Sequence, residues 1–487
     1  MVKNYADDSL TLHTDAYQIN MIQTYWEKGI HNKNAVFEVF FRKMPFDNGY
    51  AVFAGLERVI DYIKNLKFTK SDIEYLREQG YPDDFLDYLS DFRFKGTIRS
   101  FAEGDLVFNN EPLMQIEGPL ADCQIVETAI LNVINYQTLI ATKAARIKSV
   151  VGSDKLLEFG TRRAQEVDAA LWGTRAAYIG GFDATSNVRA GKKFGIPISG
   201  THAHSLVQYY MNDYEAFKAY ATTHHDCVFL VDTFDTLKSG VPNAIKVAKE
   251  MGNKINFLGV RIDSGDMAYL SKRVREQLDE AGFPNAKIYA SNDLDEKTIQ
   301  NLKMQGAKIE VWGVGTKLIT AYDQPALGAV YKMVSIERDG KMVDTIKLSN
   351  NAEKVSTPGK KQVWRITRKS DGKSEGDYVA LWSEDPREED SLYMFHPNYT
   401  YINKTVTDFE ARPLLKTIFE KGKLVYNQPK LDEIKEYAKN GLDSLWDEYK
   451  RDLNPQDYPV DLSQECYDHK MQIIQNVRKY VSELKFN

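Results

Sequence analysis

Between Glu158 and Lys332 one pattern repeats: a short apolar or β-branched run, a polar turn rich in small residues, then a helix-like stretch. Strand-like runs fall over Leu156–Gly160, Ile196–Gly200, Val228–Asp232, Phe257–Asp263, Ile288–Ser291 and Ile309–Gly313, with a less regular seventh across Gly180–Thr185. Helical stretches such as Val241–Met251 and Ala268–Ala281 lie between them. This alternation demands a parallel sheet, because parallel strands need long crossovers and a helix supplies them. A run of such units predicts an irregular or incomplete α/β barrel with its chemistry at the carboxyl ends of the strands.

The flanks follow other periods. Residues 1–135 read as an α+β domain: a helix around Asp15–Met21, a strand over Asn34–Arg42, helices up to Phe92, then short strands from Gly96 to Gly118. From Cys123 to Val150, Val126, Ala129, Ile130, Val133 and Ile134 recur at helical spacing and lead into the barrel, residues 136–332. Strand pairs around Asp339-Gly340 and Asp371-Gly372 predict an antiparallel section that returns, over 333–400, to complete the N-terminal domain. Residues 401–487 form a mostly helical extension, with amphipathic runs over Asp432–Leu445 and Gln472–Leu484.

Composition narrows the function. A net charge of −6 argues against nucleic-acid binding, whose footprint is basic. Three distant cysteines without a CxxC spacing exclude a disulfide framework and fit a reducing compartment. Met1–Asp8 lacks the apolar core of a leader, and no run reaches the roughly 20 apolar residues of a membrane helix, so a cytoplasmic protein is expected.

The strand ends supply arginines, aspartates, histidines and small hydroxyls. Gly313-Val314-Gly315-Thr316 follows a strand and lets backbone N–H groups approach a phosphate, although a plain tight turn reads the same way. Asp232, Asp235, Asp263, Asp266 and Asp293 either converge on Mg²⁺ or cap the helices that follow. Arg261 and Asp263 share a strand face, so a guanidinium fork and a carboxylate meet one ligand. His202 and His204 share a face too, as metal ligands, general bases or a phosphoryl acceptor. Phe159, with Arg162 and Arg163 behind it, offers a ring to stack on and cations for an acid group, or simply packs in the core. Two rival classes fit parts of the pattern: a metal-dependent amidohydrolase built on His202-Ala203-His204, and a non-catalytic sensor of a phosphoribosyl ligand.

Several of these segments occur in one order: Thr14-Asp15-Ala16-Tyr17, Glu158-Phe159-Gly160-Thr161-Arg162-Arg163, Gly200-Thr201-His202-Ala203-His204-Ser205, Arg261-Ile262-Asp263-Ser264-Gly265-Asp266, Gly313-Val314-Gly315-Thr316 and Leu327-Gly328-Ala329-Val330-Tyr331-Lys332. Together they resemble the nicotinate phosphoribosyltransferases, type II phosphoribosyltransferases. The resemblance implies conversion of nicotinate and phosphoribosyl pyrophosphate to nicotinate mononucleotide and pyrophosphate, coupled to ATP hydrolysis and opening NAD synthesis from nicotinate. It implies Mg²⁺, a phosphohistidine at His204, and a homodimer with shared sites. Nicotinate would lie between Phe159 and a Tyr17 from the other subunit, with Thr201 and Arg261 at its acid group. Gly313, Gly315 and Thr316 would hold the phosphoribosyl phosphate. Arg162, Asp183 and Asp263 would surround ribose and base, with Asp232, Asp263 and Asp293 as candidate Mg²⁺ ligands. Nicotinamide is the competing base within the wider group.

Overall fold

In a computed structural model that describes residues 10–349 and 355–484, the chain divides into two compact units, Ile140–Pro325 and Met1–Leu139 with Ala326–Asn487. The Met1–Asp8 stretch read for a leader lies outside the described residues.

The first unit holds β1 (Lys155–Glu158), β2 (Ala184–Thr185), β3 (Asp226–Leu230), β4 (Asn256–Ile262), β5 (Lys287–Ser291) and β6 (Val311–Val314). They form one sheet in the order β2-β1-β6-β5-β4-β3, and every neighbouring pair is parallel. The helices Val241–Met251, Met267–Glu280 and Glu296–Met304 supply crossovers. The edges β2 and β3 are not paired with each other, so the α/β barrel is irregular and open. Alternating burial does not apply here: Val311, Trp312, Gly313 and Val314 are all buried, as befits a central parallel strand covered on both faces.

One expected strand does not form. Over Ile196–Gly200 only Ile198 bridges Thr185, with Thr185 N–H donating to Pro197 O and Ser199 N–H to Thr185 O. Pro197 has no N–H to give a ladder, and its partner β2 is two residues long.

Beneath the sheet, Lys143 meets Glu296 and Asp323 at 2.9 Å each, and Arg146 Nε meets Glu296 at 3.1 Å. Lys143 and Glu296 are fully buried, so this network ties the helix Glu127–Val151 to the helix after β5 through charges that must stay paired.

The second unit carries two larger sheets. Seven strands run in the order Lys341–Asp344, Val330–Arg338, Asn34–Phe40, Met114–Pro119, Thr97–Ser100, Lys416–Glu420, Lys423–Leu424. Six more run Asn403–Thr407, Ser391–Phe395, Val460–Leu462, Ser374–Leu381, Lys361–Arg368, Phe409–Pro413, around a core of Trp364, Ile366, Leu392, Met394 and Phe409. The turns at Asp339-Gly340 and Asp371-Gly372 join antiparallel pairs, with Asp339, Gly340 and Gly372 at positive φ. The C-terminal region contains the helices Leu431–Ser444 and Gln464–Glu483, and its β-branched and aromatic runs around Thr405-Val406-Thr407 and Thr417-Ile418-Phe419 add strands to both sheets. Among the described residues no helix is long and apolar enough to cross a membrane.

Candidate active site

A cavity of about 520 Å³ opens at the carboxyl ends of the parallel strands, walled by the turns after β1, β4, β5 and β6 and by the segment Gly200–His204. Phe159, Arg162, Thr201, His204, Arg261, Asp263, Asp293, Gly313, Gly315 and Thr316, singled out in the sequence, all line it.

Phe159 leaves β1 with its N–H on Val314 O, and its ring crosses the face of β6. Glu158 fixes that turn. Its buried carboxylate accepts Gly160 N–H at 2.5 Å, the Thr174 hydroxyl at 2.9 Å and the Thr185 hydroxyl at 2.6 Å. Burial pushes the Glu158 carboxyl up, against the pull of these three donors.

The two histidines part company. His202 is buried, and its Nε2 accepts the Leu230 N–H at 3.1 Å. That bond requires an unprotonated Nε2, and burial lowers the His202 pKa to about 4. Its carbonyl accepts from Arg261 at 3.1 Å, so His202 braces the wall and its Nε2 has no lone pair left for a metal. His204 instead faces the cavity. Its Nδ1 pairs with the Thr233 hydroxyl at 3.0 Å, and its Nε2 stands 3.8 Å from Asp263 and 4.0 Å from Asp232.

Asp232 is buried just behind the lining. One of its oxygens accepts Asp263 N–H at 2.9 Å and the Ser264 hydroxyl at 2.6 Å, while Oδ1 has no hydrogen-bond partner. Asp263 takes the Ser291 hydroxyl on Oδ1 and turns Oδ2 towards His204. Asp235 and Asp266 are helix caps, accepting Leu237, Lys238 and Tyr269 N–H groups, so the capping reading holds for those two. Arg261 is largely buried, which lowers its pKa, and its Nε is without a partner. Among the described residues no group of three His, Cys, Asp or Glu side chains is arranged to hold a metal ion by itself.

One expected residue lies elsewhere, and Tyr17 is expected from the other subunit. Asp183 is not in the lining: its carboxylate accepts Leu156 N–H and its own N–H donates to Leu156 O, locking the segment before β2 onto β1. Tyr17 is on the helix Ala16–Glu27 of the other unit, 47% exposed. Two contributors were missed, Ser186 in the lining and Thr233 on His204; Ser291 on Asp263 belongs to a strand end already singled out. Each directly follows or closes a strand end, which was the available signal. Asn292 and Asp293 adopt positive φ (104° and 39°) beside the cavity, a conformation side chains adopt at a cost and that concentrates at functional turns.

Models of the nicotinate phosphoribosyltransferase (NAPRTase) family match residues 155–384, with its N-terminal domain over 12–135 and its C-terminal domain over 360–470. A Bacillus subtilis nicotinate phosphoribosyltransferase is 63% identical over 480 residues, 98% of each chain. One from Caenorhabditis elegans is 38% identical over 94% of this chain and 93% of its own. The crystal structure of human nicotinic acid phosphoribosyltransferase superposes with a TM-score of 0.84 at 29% identity, covering 94% of this chain and 99% of that one. With that agreement across its length, this chain belongs to the nicotinate phosphoribosyltransferase family.

Proposed function

We propose that the protein transfers the phosphoribosyl group of phosphoribosyl pyrophosphate to nicotinate, releasing pyrophosphate, with ATP hydrolysis coupled through His204. The observation that carries this reading is the placement of His204 in one cavity with Phe159, Arg261, Asp263 and Thr316, its ring aimed at two carboxylates. Phe159 stacks the pyridine ring, and Thr201 with Arg261, whose Nε has no partner, receives the acid group. Gly315 and Thr316, where the chain turns from β6 into a helical turn, hold the sugar phosphate. The partner subunit's Tyr17 closes the ring site from its other side in a homodimer.

Bond breaking at the anomeric carbon develops cationic charge on the sugar, which Asp263 is placed to stabilise. Nicotinate's nitrogen is already nucleophilic, so orientation by Phe159 and Arg261 matters more than a base. The donor set fits Mg²⁺: Asp263 Oδ2 and the partnerless Asp232 Oδ1 are hard oxygens near the cavity, and Asp293 lies on its wall. One or two of Asp232, Asp263 and Asp293 would hold Mg²⁺, which would supply charge neutralisation to the pyrophosphate leaving group. For coupling, a ring nitrogen of His204 attacks the γ-phosphorus of ATP, ADP departs, and water later frees phosphate. The added charge beside Asp232 and Asp263 switches the site between tight and relaxed binding.

The test is incubation with nicotinate, phosphoribosyl pyrophosphate, Mg²⁺ and labelled ATP, following mononucleotide and acid-labile protein phosphate. The wild type should form both. His204→Ala should retain slow transfer and lose phosphoprotein and ATP stimulation; unchanged coupling in it overturns the role of His204. Tighter use of nicotinamide than nicotinate would overturn the base.

A further inference from the structure

A second cavity, of about 210 Å³, lies wholly within the unit that contains both termini, walled by residues of both its large sheets and by Lys470 of the helix Gln464–Glu483. Its wall carries more hydrogen-bond donors than the protein satisfies. Lys470 Nζ makes one bond, to Thr357 Oγ1 at 3.3 Å, and among the described residues no carboxylate reaches it. Burial and the neighbouring Lys361 lower the Lys470 pKa. Thr357 Oγ1 accepts from Lys470 and Ser356 Oγ accepts the Lys347 N–H, and among the described residues neither hydroxyl proton is donated. His396 Nδ1 accepts the Asn398 and Tyr399 N–H groups, which puts its proton on Nε2.

The two carboxylates on the same wall do not pair with Lys470. Glu38 is held by Lys361 at 3.0 Å and by Gln115, and Lys361 is further satisfied by the carbonyls of Thr357 and Gly359. Asp457 sits exposed at the edge. A half-buried ammonium without a counter-ion is costly, and a bound anion removes that cost. At this size the cavity is smaller than those that take drug-sized ligands.

We propose that this cavity binds a compact oxyanion, phosphate or a small carboxylate, through Lys470, Ser356, Thr357 and His396. The site is separate from the strand-end cavity, and the proposal does not depend on the reaction assigned there.

The test is site-resolved amine labelling of the full-length protein, with Lys470 and the exposed Lys439 read by peptide mass spectrometry. Inorganic phosphate and acetate are titrated in separate arms at constant ionic strength. Saturable slowing at Lys470 of about tenfold, with Lys439 unchanged, is expected in at least one arm, and the arm that protects at lower concentration identifies the anion. Ser356→Ala and His396→Phe, which leave Lys470 in place, should raise the half-protecting concentration. Flat labelling of Lys470 in both arms, or slowing that Lys439 shares, overturns the site. So does protection that both variants leave unaltered.

Discussion

The ring of Phe159 fills the space that a side chain at residue 313 would need: a Cβ on Gly313 would stand 2.6 Å from Phe159 Cδ2. Glycine in this strand end is therefore what lets the aromatic lie over the cavity floor. Gly313→Ala should displace the ring at a cost of about 1–3 kcal/mol, in line with overpacking elsewhere. Steady-state kinetics should register it as a raised KM for nicotinate, with the KM for phosphoribosyl pyrophosphate less affected. An unaltered nicotinate KM would mean the ring does not bind the base.

Glu158 acts on the same ring from behind. Glu158→Leu strands Gly160 N–H and the Thr185 hydroxyl, each lost partner costing about 1–3 kcal/mol, while the Thr174 hydroxyl keeps the Ala170 carbonyl. Thermal unfolding should occur earlier and the nicotinate KM should rise. Glu158→Gln, which keeps one carbonyl acceptor, should recover part of both.

His202 gives a pH signature. It titrates at about 4 in the fold against 6.5 ordinarily, so between those values the unfolded chain holds the proton that the native chain refuses. The stabilisation is complete above 6.5 and drains as pH falls towards 4. About 2 kcal/mol should be lost by about pH 5, read from urea unfolding midpoints. His202→Gln should flatten that slope, and a variant slope equal to the wild type would contradict the buried neutral imidazole.

Arg365 and Asp377 form a buried bidentate pair at 2.9 and 2.7 Å. Burial and the adjacent Asp377 charge already push the Glu111 carboxyl up. Arg365→Met leaves this carboxylate pair uncompensated and should destabilise by about 3–5 kcal/mol in chemical denaturation. Adding Asp377→Asn should restore much of it, since the orphaned charge is then gone.

Local sequence determined a good deal. Hydrophobic period located all six parallel strands, the shortest within the less regular run Gly180–Thr185, and Asp-Gly dipeptides located two hairpin turns of the second unit, because strand alternation with helices and Asp-Gly turn chemistry are properties of neighbouring residues. It also selected ten residues that line one cavity, since strand ends of a parallel sheet share an edge whatever their separation in the chain. What it left open was decided by contacts between residues distant in the chain. His202 and His204 look equivalent in sequence, yet the Leu230 N–H takes one and Thr233 positions the other. Asp183 faces Leu156 and not the cavity, and Ile196–Gly200 fails as a strand for want of a long partner. A side chain's role depends on which lone pair or proton remains once its neighbours in space are satisfied, and only the folded chain brings those neighbours together.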